Sequence, residues 1–82
     1  MAIDEQGYWT AVAAVIRAEM AARKMSQQGL AEKAGIGRPA LNAYLNGKRE
    51  MPFMTYMRIA DALGFTPAGL AEAAEARIEQ GQ

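Results

Sequence analysis

The chain is expected to be all-α, built from five short helices, and three observations lead there. Just over half of its 82 residues are apolar, and these are mostly Ala, Leu, Ile and Met, with aromatics at only 7%. That mix favours helices over strands. The apolar residues recur at helical spacing, and the stretches that show this period are separated by Gly, Pro, Ser and Thr, placed where helices stop and start.

The first helix is expected from Tyr8 to Lys24, where Trp9, Val12, Ile16 and Met20 share one face with Val15 beside them. Met25 leads into Ser26, a good N-cap, and a second helix from Gln27 to Ala34 with Leu30, Ala31 and Ala34 inward. Gly35 ends it because glycine accepts the left-handed conformation that closes a helix, and Ile36 is placed to pack back on the preceding turn. The third helix starts after Gly37, with Pro39 in its first turn where a missing N–H costs little, and stops at Gly47. After the loop Lys48 to Pro52, the fourth runs from Phe53 to Leu63, with Phe53, Met57, Ala60 and Leu63 along one face and Tyr56 and Ile59 beside it. Gly64 closes it, Thr66 caps the fifth, and Pro67 takes the first helical position. Leu70, Ala74 and Ile78 mark the apolar stripe of this last helix, which frays near Gln80.

No linker, low-complexity tract or repeat interrupts this order, so residues 1–82 are expected to form a single domain with its core at about 8–75. No apolar run is long enough to span a bilayer. The start, "MAIDEQGYW", lacks the basic and apolar leader of a secretory signal, and cysteine is absent, so a cytoplasmic location is expected. With neither Cys nor His, no metal site and no His- or Cys-based catalysis is expected. No cofactor is expected, nor a small-molecule ligand. No carboxylate pair stands out, and "GIG" follows a helix rather than a strand, so it is not a phosphate loop. An enzyme is not expected.

The formal charge is zero, but it is segregated. From Arg17 to Arg58 there are eight basic residues against three acidic ones, with a net −2 before and −3 after. Such a distribution makes a local positive field in a neutral protein.

The break at Gly35 has the form of a helix-turn-helix over about residues 27–46, two short helices joined by a glycine turn with an apolar residue between them. The second of them can then lie in the major groove of DNA. With about 100° per residue and Pro39 at zero, Asn42, Ala43 and Asn46 fall within about 60° of it, while Leu41, Tyr44 and Leu45 lie opposite. The outward face is therefore small or polar and bears no negative charge. Small side chains let the backbone approach base edges, and Asn either pairs with adenine or holds a phosphate. Arg38, off the centre of this face, is long enough to reach guanine or a phosphate. Asn46 before Gly47 and Pro39 at the helix start equally suit a plain helix end and start.

The order Ser26-Gln27, Leu30-Ala31, Gly35-Ile36, Leu41, Tyr44 and Asn46-Gly47-Lys48, with "IADALGF" behind it, resembles the phage-repressor and Cro-type helix-turn-helix family over about residues 8–75. The resemblance implies a compact five-helix lambda repressor-like domain that binds double-stranded DNA, usually as a dimer. It implies that Arg38, Pro39, Ala40, Asn42 and Ala43 face the bases. Ser26, Gln27, Asn46, Lys48 and Arg49 would hold phosphates. The sequence departs from the family at Met20 and Gly29, where Arg and Glu often pair, and at Pro39 and Ala40, where hydrogen-bonding side chains are usual. The latter departure points to fewer specified bases or more reliance on DNA shape. The expected function is a sequence-specific transcriptional regulator, a repressor acting by operator occlusion. The alternative is a protein-interaction module, an antitoxin or adaptor, in which DNA binding is secondary. The fifth helix motivates that alternative, and its Leu70, Ala74 and Ile78 equally suit a homodimer contact.

Overall fold

The computed structural model describes residues 4–81. Its elements are α1 (Glu5–Ala22), α2 (Gln27–Ala34), α3 (Arg38–Leu45), α4 (Phe53–Ala62) and α5 (Pro67–Glu79), with no strand among the described residues. The five expected helices are present in the expected order.

One core holds them together. Val12, Ile16, Leu30, Leu41, Ile59, Leu63 and Leu70 are its largest fully buried side chains, one or two from each helix or its end. α1 packs chiefly on α5, and α2 rests on both α3 and α4. Buried apolar surface of this kind supplies the main favourable contribution to folding. Tyr56 adds a polar tie, its hydroxyl donating to the Pro67 carbonyl at 2.9 Å and so joining α4 to the start of α5.

Three helices begin in the same way. Asp4, Ser26 and Thr66 each accept from the backbone N–H three residues on, at Gly7, Gly29 and Gly69, over 2.9–3.0 Å. Each cap satisfies an N–H that the helix itself leaves without an acceptor. The glycines share a second property: a Cβ on Gly29 would stand 3.3 Å from the Ser26 hydroxyl, and one on Gly69 3.1 Å from that of Thr66. Gly29, which departs from the usual Glu, thus leaves its cap uncrowded. Met20, the other half of that missing pair, is buried in the core, so no lone charge is left there.

The structure corrects several expectations. α1 starts at Glu5 rather than Tyr8 because Asp4 caps it, and it ends at Ala22 rather than Lys24. Lys24 instead adopts φ +54° while the Met25 N–H closes on the Met20 carbonyl at 2.8 Å. Gly35 stands in the corresponding place after α2, φ +72°, with Ile36 closing on Ala31 at 2.9 Å. Ile36 and Tyr44 are half-buried against the core rather than enclosed by it. Phe53, expected inward, is 69% exposed, because it occupies the first turn of α4 and stacks outside Tyr56 with ring centroids 6.5 Å apart. Leu70 and Ala74 are fully buried within the protomer, so neither offers a dimer surface; only Ile78 of that stripe reaches solvent.

Candidate nucleic-acid interface

α3 is held by its inner face. Leu41 and Leu45 are buried, and Pro39 sits in the first turn behind the Gly37 cap, which supplies no side-chain hydrogen bond. Rotation about that anchored face leaves Arg38, Pro39, Asn42 and Asn46 exposed, with Ala40 and Ala43 half-buried between them. Of the set expected to face bases, Pro39, Asn42 and Ala43 share one side of the helix, with Arg38 and Ala40 on its two flanks.

The residues expected on phosphates divide into two groups. Ser26 and Gln27 lie at the start of α2, where Ser26 Oγ already accepts from Gly29 and keeps its own O–H free to donate. Asn46, Lys48 and Arg49 follow the end of α3, whose last turn is closed by the Lys48 N–H on the Ala43 carbonyl at 2.9 Å. Arg49 is not an isolated cation: its guanidinium lies over the Tyr44 ring, 5.4 Å from the centroid. That stacking limits its freedom without neutralising its charge.

A continuous row of side-chain hydrogen bonds links the two groups, which the residue-by-residue sequence reading did not show. Arg17 Nη2 donates to Asn46 Oδ1 at 2.9 Å. Asn46 Nδ2 donates to Asn42 Oδ1 at 3.2 Å, and Asn42 Nδ2 to Gln27 Oε1 at 3.2 Å. The row crosses from α1 over the outer face of α3 to the first residue of α2. Arg17 belongs to this surface and was missed because the sequence separates it from Asn46 by 29 positions. The Asn42–Asn46 step was visible in principle as two amides four residues apart on a helix.

Arg17 also lines a groove of about 660 Å³ between α1 and the segment after α3, shared with Lys48 and Arg49 and with the carboxylates of Glu5 and Glu50. Cations thus outnumber carboxylates there by three to two, and no Asp or Glu occurs between Lys33 and Lys48. The surface as a whole offers N–H donors and cations, the complement of phosphate oxygens and of purine acceptors. Among the described residues no cluster of acidic side chains could hold a metal ion, and no helix is long and apolar enough to cross a membrane.

Comparison with known proteins agrees with this architecture. The chain is 44% identical over 41 residues to the uncharacterized HTH-type transcriptional regulator YqaE of Bacillus subtilis (strain 168). That match takes in 50% of this chain and 35% of the relative, so the chain spans well under two thirds of that protein. No solved structure matches the chain. The helix-turn-helix family profile matches residues 16–70, from within α1 to the first turn of α5. With that match covering the α2–turn–α3 unit and the helices that brace it, the chain belongs to the helix-turn-helix family of the phage-repressor and Cro type.

Proposed function

We propose that the protein is a sequence-specific transcriptional regulator that binds double-stranded DNA and represses by occupying an operator. The observation that carries this reading is the outer face of α3: exposed, free of carboxylates and furnished with the amides of Asn42 and Asn46. In this reading α3 enters the major groove. Arg38 and Asn42 meet base edges, while Pro39, Ala40 and Ala43 give close approach and contact with thymine methyls. Ser26 and Gln27 grip the backbone on one side of the groove, and Asn46, Lys48 and Arg49 on the other. The cations contribute affinity that weakens with salt, and the helix contributes selectivity. Family membership and the regulator name of the Bacillus subtilis relative support the same reading.

The second reading, an interaction module for a protein partner, is favoured by a different surface from the one the sequence indicated. The stripe of α5 is largely buried, whereas Phe53 and Met54 at the start of α4 are 69% and 59% exposed.

Selection of bound duplexes from a random DNA library at physiological salt tests the proposal. An enriched palindrome is expected, and its half-site spacing gives the distance between two recognition helices. A single enriched half-site would mean a monomeric regulator. No enrichment by folded protein would overturn the reading and favour the interaction module.

A further inference from the structure

We infer that Arg17 is a positioning residue for the DNA-facing amides: it sets the direction of the row Arg17–Asn46–Asn42–Gln27 and so decides which atom Gln27 shows to a phosphate. The inference rests on the DNA-binding reading above.

A row of primary amides can run either way. Exchanging N and O in every member preserves the number of hydrogen bonds, because each amide carries donors at one end and an acceptor at the other. Arg17 removes that symmetry. A guanidinium only donates, so its 2.9 Å contact requires the oxygen of Asn46. Asn46 must then turn its nitrogen to Asn42 Oδ1, and Asn42 its nitrogen to Gln27 Oε1, each at 3.2 Å. Gln27 Nε2 is left at the end of the row, and among the described residues no acceptor meets either of its N–H groups. A phosphate only accepts, so this polarity fits it. In the reversed row Gln27 Nε2 would donate to Asn42, and its carbonyl oxygen would face the phosphate, an acceptor against an acceptor.

This role differs from that of a cation touching the backbone, and the difference is measurable. Replacing Arg17 by Met should weaken binding to the selected duplex by about tenfold, the worth of a hydrogen bond to a charged group. In the Gln27→Ala background the same replacement should cost clearly less than in the unaltered protein, since the Gln27 end of the row is gone and only Asn46 and Asn42 remain to be oriented. The salt dependence should be unchanged in both backgrounds. Arg17→Lys, which keeps a donor-only group, should restore most of the affinity, and Arg17→Gln, which can accept as well as donate, should not. In the free protein, the side-chain amide resonances of Gln27, Asn42 and Asn46 should all move on Arg17→Met and return towards their original positions on Arg17→Lys.

An equal loss in both backgrounds, or a salt slope shallower by about one unit, would make Arg17 a phosphate contact and overturn the inference. Amide resonances of Gln27 and Asn42 that ignore Arg17→Met would overturn it independently of DNA. If the unaltered protein selects no DNA, the functional reading fails and this role fails with it, whereas normal selection with unmoved resonances refutes the positioning role alone.

Discussion

α3 and α5 solve the same packing problem inward and opposite problems outward. Each begins with a proline in its first turn and buries two side chains through one face, Leu41 and Leu45 in α3 and Leu70 and Ala74 in α5. The exposed face of α3 carries amides and a single charge, that of Arg38. The exposed face of α5 carries Glu72, Glu75 and Glu79. Three carboxylates could not approach a phosphate backbone without strong repulsion, whereas the amides of α3 can. The inner faces therefore report on stability and the outer faces on the partner. The starts differ as well: Thr66 caps α5 through its own hydroxyl, while Gly37 offers α3 no side-chain cap.

The sharpest way to break this contrast is through the core. Leu70→Ala should destabilise the fold by about 2–5 kcal/mol in chemical denaturation, because it leaves a cavity where α5 meets the other helices. Ile78→Ala, on the same helix but 44% exposed, should change stability by less than about 0.5 kcal/mol. Equal losses at the two positions would mean that the outer end of α5 is as structural as its inner stripe.

On α3 the expected change lies in binding rather than folding. Arg38→Ala should relax preference at one base pair and cost about 1–3 kcal/mol in binding if the guanidinium reads guanine, with denaturation unchanged. Equal weakening on every sequence would place it on phosphate instead. Lys48→Ala should weaken all sites alike and make the salt slope shallower by about one unit. A slope that does not move would remove Lys48 from the contact surface.

The smallest effect concerns the junction of α4 and α5. Burial first, then the neighbouring Tyr8 hydroxyl and the Glu75 charge, push the Tyr56 phenol well above its ordinary range. A raised folded-state pKa gives stability that is complete below the unfolded value, about 10, and is lost as pH rises beyond it. Thermal melts should thus show an alkaline loss that Tyr56→Phe flattens. At neutral pH the substitution should cost about 1 kcal/mol through the lost bond to Pro67. An alkaline loss of the same size in the variant would assign it to other groups.

Much of this architecture was legible in the chain because it depends on local rules. Ser26 and Thr66 announce helix starts by hydrogen bonding three residues ahead, and Gly35 announces a stop through its backbone freedom. The outward face of α3 followed from helical period alone. Where local rules compete, the sequence was a poorer guide. Phe53 is apolar yet lies at a helix start and stays 69% exposed, and Lys24 takes a left-handed position that four glycines occupy elsewhere among the described residues.

Composition, period and capping by themselves determined five helices, their order and the side of α3 that stays free of the core. These are set within a few residues along the chain, by backbone conformation and by the repeat of the helix. Tertiary structure alone decided which apolar stripes are enclosed, as with Leu70 and Ala74, and which polar groups meet. Arg17 reaches Asn46 across 29 residues, and Asn42 reaches Gln27 across 15. Such bonds form only where packed helices bring distant side chains within about 3 Å at a workable angle, and no spacing in the sequence encodes that approach.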